Sequence, residues 1–190
     1  MRNYSRLADA GRRGAHARHQ SEGFTLVELL AVLAILAIIL ASTPALARMI
    51  RQAQVQASFH ALSSSLALAR ISAVSRGHPV TLCPSRDGAH CTGGTVWSGG
   101  WIVYRDAGRR SQPASPEDIV ETVSAVRGGI IIRTSPGRLR IRYHPSGWAS
   151  GSNLSLTLCA ASGTELAGKV VVNNAGRPRI ERASPGLPCS

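Results

Sequence analysis

Aromatic residues make up only 4% of this 190-residue chain, with two Phe, three Tyr and three Trp. A core must therefore be assembled from Val, Ile, Leu and Ala. Acidic residues are also few: 10 Asp and Glu stand against 22 basic residues, for a formal charge of +12. Lysine is nearly missing, since Lys169 is the one lysine and the other basic residues are all arginine. This excess points to an anionic partner, nucleic acid or phospholipid, and says nothing of fold. The chain has no Gly-x-Ser-x-Gly, no His-Glu-x-x-His and no phosphate loop. No enzyme activity, cofactor or metal is expected. There is no internal repeat either. The hydrophobic content of 44% excludes a disordered or fibrous chain. The length allows one compact domain with an appendage, or two small domains.

The apolar residues are concentrated near the N-terminus. Residues 1–22 are polar and basic, with Arg2, Arg6, Arg12, Arg13 and Arg18 against Asp9 and Glu22. From Phe24 to Ala41 the chain is apolar except for Thr25 and Glu28. Extended through Ala47, the stretch is long enough to cross a hydrocarbon core as a helix. The basic flank predicts a cytoplasmic N-terminus and places the remaining bulk across the membrane.

Glu28 breaks the pattern. A carboxylate near the centre of a membrane helix costs about 3 kcal/mol, so it needs a partner or a function. A cut after Gly23 would give Phe24 a free α-amino group about one helical turn away. In an assembly, Glu28 would pair with the amine of a neighbour. The simpler reading is an interfacial glutamate that snorkels to the headgroups. A rival processing site also exists. Thr43-Pro44-Ala45-Leu46-Ala47 ends in the small-x-small pattern of a signal peptidase site. Cleavage there would release a soluble periplasmic protein starting at Arg48. Glu28 inside the apolar stretch, and a helical pattern that runs on past Arg48, argue against it.

Gly23-Phe24-Thr25-Leu26-Val27-Glu28-Leu29-Leu30 resembles the type IV prepilin signature. The resemblance implies cleavage by prepilin peptidase between Gly23 and Phe24, N-methylation of Phe24, and an assembly role for Glu28. It also implies other pilins or pseudopilins as partners, through a retained membrane helix.

Beyond Ala47, Met49, Ile50, Val55, Phe59, Leu62, Leu66, Ala69 and Ala73 recur at spacings of three and four, the mark of an amphipathic helix. Gly77 and Pro79 end it. Phe24–Arg76 would then form one helix of about 80 Å, kinked or locally melted at Pro44. The remaining sequence reads as strands at 80–83, 101–105, 119–126, 130–134, 139–143, 154–159 and 169–173. Turn-rich segments such as Ser111-Gln112-Pro113-Ala114-Ser115-Pro116 separate them. Leu139-Arg140-Ile141-Arg142-Tyr143 alternates, putting both arginines on one face. The expected fold is α+β and pilin-like: a long N-terminal helix, membrane-spanning in its first half and amphipathic in its second, packed on antiparallel sheet. The expected division is a leader at 1–23, an assembly helix at 24–47, an amphipathic helix at 48–76 and a β-rich periplasmic domain at 77–190.

Leu68-Ala69-Arg70, Val80-Thr81-Leu82-Cys83 and Trp97-Ser98-Gly99-Gly100-Trp101-Ile102-Val103-Tyr104-Arg105-Asp106 resemble the FimT/GspH group of minor pilins and pseudopilins. Looser similarity continues over Tyr143-His144-Pro145-Ser146-Gly147 and Gly176-Arg177-Pro178-Arg179. The resemblance implies a subunit of a type IV pilus or a type II secretion pseudopilus, in its tip or initiation complex. It leaves the two machines undistinguished.

The four cysteines suit an oxidising compartment. Of three connectivities, Cys83–Cys91 across a turn-rich loop and Cys159–Cys189 tying the C-terminal tail to a strand are expected. The alternative, a metal site of His78, Cys83, His90 and Cys91, matches no zinc spacing. Residues 127–190 carry nine basic residues against Glu165 and Glu181. Members of the FimT branch resemble DNA-uptake receptors that use a Gly-Arg-x-Arg element. Carried over, Arg177 and Arg179 become candidates for contacting double-stranded DNA without sequence preference, and Arg182 is added from its proximity in sequence. The simpler reading is a solvated basic turn. Asp106, after the Trp/Tyr strand, is expected to cap a turn.

Overall fold

The computed structural model describes residues 24–149, 154–160 and 163–189. Contacts divide the chain at Thr43/Pro44 into an N-terminal unit and a larger unit of residues 44–190. The helix α1 (Leu26–Arg76) contributes to both and runs without a melted turn at Pro44. It stops at Gly77, whose φ of +67° is the left-handed conformation that terminates helices and that glycine adopts without steric cost.

In the larger unit, Phe59, Leu62, Leu66, Ala69 and Ala73 of α1 are buried in one apolar core. Val55 is only partly covered, while Met49 and Ile50 remain exposed. The apolar stripe thus begins to be covered about a turn and a half later than its periodicity suggests. Helical spacing marks a face; only the reach of the sheet decides how much of that face is covered.

Two four-stranded antiparallel sheets supply the rest of the core. The first has the order β3 (Ile119–Ser124), β2 (Gly100–Arg105), β1 (Val80–Pro84), β5 (Ile141–Tyr143). The second has the order β4 (Ile131–Thr134), β6 (Leu154–Ala160), β7 (Glu165–Val172), β8 (Pro178–Arg182). The loop before β2 links them: the Trp97 N–H donates to the Ile132 carbonyl at 2.8 Å, and Val96 bridges Arg133.

The chemistry of each strand follows what covers it. β6 alternates, with Leu154, Leu156 and Leu158 buried and Ser155 and Thr157 half-exposed. Such a strand has one wet face. β1 is buried on both faces, because Val80 and Leu82 join the helix-side core while Cys83 joins Ile102 and Tyr104 in a second small cluster. The Trp101 indole N–H donates to Ser65 Oγ at 3.0 Å and ties the sheet to the helix. Burial of the ring thereby costs no unpaired donor.

β8 is a strand where the sequence reads only a turn and a tail. Pro178 pairs with Val172 and Arg182 with Gly168. One apolar residue, Ile180, interrupts polar neighbours, so its hydropathy pattern is faint. Edge strands need no buried face and are commonly charged or proline-bearing.

Candidate functional sites: an apolar helix and basic edges

The N-terminal unit presents the start of α1. Thr25 caps it: its Oγ1 accepts the Glu28 N–H at 3.2 Å and its carbonyl accepts the Leu29 N–H at 3.1 Å. Threonine is favoured there because its short hydroxyl reaches back to an otherwise unpaired amide. Glu28 consequently sits in the first turn, where a carboxylate complements the helix dipole. Leu26, Val27, Leu29, Leu30, Leu33 and Leu36 are all exposed, so the helix is apolar around its circumference. Such a helix must be covered by lipid or by other helices. By length and composition it can cross a membrane. Phe24, just before it, is exposed. Gly23, and with it the expected cleavage bond, lies outside the described residues.

The three C-terminal arginines do not form one array. Arg177 ends a tight turn in which the Gly176 N–H donates to the Asn173 carbonyl at 2.8 Å and the Arg177 N–H to Asn173 Oδ1 at 3.1 Å. Gly176 has φ +73°, and a Cβ there would lie 2.2 Å from the Gly147 carbonyl oxygen. Only glycine lets this turn close on the 144–149 loop. The Arg177 side chain is exposed and has no ion pair among the described residues. Arg179 belongs to β8, not to a turn, and its guanidinium pairs with Glu181 at 2.8 Å. Arg182 is two strand positions further along than Ile180 and donates to Gln56 Oε1 of α1 at 2.9 Å. The expected turn with two guanidinium forks is therefore a turn with one, followed by a strand whose charges are partly paired.

A second arginine group surrounds Asp106, at the end of β2. Asp106 is 3% exposed. Its Oδ2 accepts the Thr81 hydroxyl at 2.7 Å and pairs with Arg142 at 2.6 Å. Its Oδ1 accepts the Arg110 N–H at 2.5 Å and so closes the 106–110 turn. Asp106 caps a turn, as the sequence suggests, and also neutralises an arginine of β5. The Arg110 carbonyl collects Arg142 Nη2 at 3.0 Å, Arg140 Nη1 at 3.4 Å and the Tyr104 hydroxyl at 3.2 Å. Alternation along residues 139–143 places Arg140 and Arg142 on one face. No local pattern could bring Arg109 and Arg110 beside them, because that requires the turn that Asp106 holds. Burial is the main cause that pushes the Tyr104 phenol up to about 12.

Disulfides join Cys83 to Cys91 and Cys159 to Cys189, with Cα separations of 5.5 and 5.8 Å. Neither Cys83 nor Cys91 can then serve as a thiolate ligand, which removes the alternative metal site. In the loop between them, the His90 and Ala89 N–H groups donate to Asp87 and hold its carboxyl well below the usual range.

A helix on two antiparallel sheets, preceded by an all-round apolar segment, defines a pilin-like protein. The model of the family described as type II transport protein GspH matches residues 59–176. That match spans more than half of the chain, which therefore belongs to the GspH family of pilin-like minor pseudopilins. The prokaryotic N-terminal methylation motif matches residues 18–43. No curated protein sequence matches the chain. Crystal structures of the type IV minor pilin FimU of Pseudomonas aeruginosa PAO1 share the fold. In space group P21 the TM-score is 0.58 at 16% identity, over 73% of this chain and 97% of that one. In space group P65 it is 0.55 at 16% identity, over 71% and 99%. The minor pseudopilin EpsH from the type 2 secretion system of Vibrio cholerae gives 0.48 at 12% identity, over 68% and 97%. Members of this family are structural subunits, not enzymes, and assemble with other pilin-like chains.

Proposed function

We propose that this chain is a minor subunit of the tip or initiation complex of a type IV pilus or type II secretion pseudopilus. Prepilin peptidase cuts between Gly23 and Phe24, Phe24 is N-methylated, and residues 24–47 remain as the membrane and assembly helix. Residues 48–76 continue as an amphipathic helix under the periplasmic domain of residues 77–190. The observation that carries this reading is the lone carboxylate of Glu28 in the first turn of a stretch, residues 26–41, that is otherwise apolar and exposed. An amine from a neighbouring N-terminus offsets its cost in a low-dielectric surrounding, and packing of apolar helices supplies the rest. Glu28→Ala should leave membrane retention unchanged while abolishing incorporation into filaments, read by immunoblot of membrane and sheared fractions. Normal incorporation of the variant would sink the pairing.

A second reading adds contact with double-stranded DNA, either as an accessory role or as the main one of an uptake receptor. The exposed guanidinium of Arg177, on a turn fixed by Gly176, favours it. A gel shift with the full chain in non-ionic detergent tests it. Binding that is absent even at low salt rejects it, since phosphate contacts strengthen as salt falls.

A further inference from the structure

The cations that the fold gathers most closely are not those of the C-terminal turn. Arg109 and Arg110 are exposed in the turn after β2, and the Arg110 carbonyl accepts Arg140 Nη1, just before β5, at 3.4 Å. Arg138 and Arg140 line a cleft with Gly137. Gly137 also lines the neighbouring cleft, which holds Arg133 of β4 and Lys169 of β7. The 135–138 turn is thus a shared wall, tied to β4 where the Thr134 hydroxyl donates to the Arg138 carbonyl at 2.6 Å. Across the second sheet the register puts Arg133 opposite Thr157 and Thr157 opposite Lys169. The hydroxyl groups of Ser135 and Ser155 stand on the same cleft.

Among the described residues, no acidic side chain lines either of these two clefts. Arg110 also lines a further cleft that does hold carboxylates: Asp106, which is buried and occupied by Arg142, and Asp118, which pairs with Arg105. The other basic element differs on this point, since Arg179 faces Glu181 at 2.8 Å. Backbone conformation adds a second observation. Arg109 has φ +51°, the one positive φ at a non-glycine position among the described residues. A long cationic side chain is held there at a steric cost that Asn or Gly would avoid.

We propose that Lys169, Arg133, Arg138, Arg140, Arg110 and Arg109 form one basic track across both sheets that holds a nucleic-acid phosphate backbone. The proposal rests on the reading that this chain contacts nucleic acid, and it moves the main contact away from Arg177 and Arg179. Guanidinium forks suit phosphate oxygens, and hydroxyl groups between them supply further donors. A membrane surface suits the track less well, because Leu139 and Val96 are its only exposed large apolar side chains among the described residues.

The test uses the full chain in non-ionic detergent and a labelled duplex of arbitrary sequence, titrated at several salt concentrations. Three double variants are compared: Arg109→Asn/Arg140→Gln, Arg133→Gln/Lys169→Gln and Arg177→Ala/Arg179→Ala. Arg109, Arg133 and Lys169 are exposed and Arg140 is half-buried, and matched thermal melts confirm that each variant folds. Each track pair should weaken binding about tenfold at low salt and lower the steepness of log affinity against log salt by about two, one for each lost phosphate contact. The Arg177/Arg179 pair should change both much less. If the track pairs bind as the unaltered chain does and the Arg177/Arg179 pair does not, the track is overturned while DNA contact stands. If the unaltered chain binds no duplex at low salt, both fall. Retention of anionic phospholipid vesicles through the track, without duplex binding, also overturns the proposal.

Discussion

Asp106 shows how one side chain can organise chemistry from three parts of the chain. It ends β2, closes the turn that carries Arg109 and Arg110, and neutralises Arg142 of β5. Its role as a turn cap is legible locally, because an aspartate after a strand and before Ala-Gly reads as a turn former. Its pairing with Arg142 is not, because nothing in the intervening residues specifies that β5 lies next to β1. Removing the carboxylate leaves Arg142 poorly compensated and the Thr81 hydroxyl short of its acceptor. Asp106→Ala should therefore cost about 3–5 kcal/mol, the range for breaking a buried pair from one side. Chemical denaturation with circular dichroism would measure it. A loss below about 1 kcal/mol would mean that Arg142 finds water or another acceptor. Glu28 is the opposite case: its oddity is visible from the sequence alone, since a charge in an apolar run needs no fold to be noticed.

At the scale of elements, strongly patterned segments were readable and weakly patterned ones were not. The run from Phe59 to Ala73 announces a helix face, and Val80, Trp101 and Leu154 each open stretches too apolar to be loops. β8 carries one apolar residue between charges, and an edge strand of that kind resembles a polar tail until its partner β7 is known. The tail after it is bonded through Cys189 to β6 at Cys159. Replacing both cysteines with serine should lower stability by about 2–4 kcal/mol, through the freedom returned to the unfolded chain. Differential melting of the variant would measure that loss. Limited proteolysis should then cut first after Arg182. An unchanged melt would show that β8 pairing alone holds the tail.

β2 brings a pH dependence. The Tyr104 phenol is pushed up to about 12 by burial, whereas the unfolded chain ionises near 10. Because the folded state favours the protonated phenol, its contribution is complete below about pH 10 and declines as pH rises towards 12. Stability against denaturant should fall across that window, and Tyr104→Phe should flatten the fall. Buried Tyr143 is raised in the same direction and for the same reason, so a residual slope should remain in the variant.

For the molecule as a whole, charge and apolar surface are segregated by sequence region. The exposed apolar stretch of residues 26–41 belongs to the N-terminal unit, while the arginines beyond it lie on the second half of α1 and on the sheet domain. The excess charge of +12 was readable at once, but not its arrangement. Arg133 and Lys169 meet across β6 only once the register of the second sheet is set, and Gly137 joins their cleft to the other arginines only in the folded chain. The family match agrees with a structural subunit and the likeness to FimU with its fold; the proposal adds that the apolar helix packs with its neighbours. Everything in that account depends on α1 being kept intact from Phe24.

The most direct test is intact-mass and N-terminal analysis of the protein recovered from membranes. A chain that begins at N-methylated Phe24 is the result this account requires. A chain that begins at Arg48 would contradict it, leaving a soluble domain without its assembly helix.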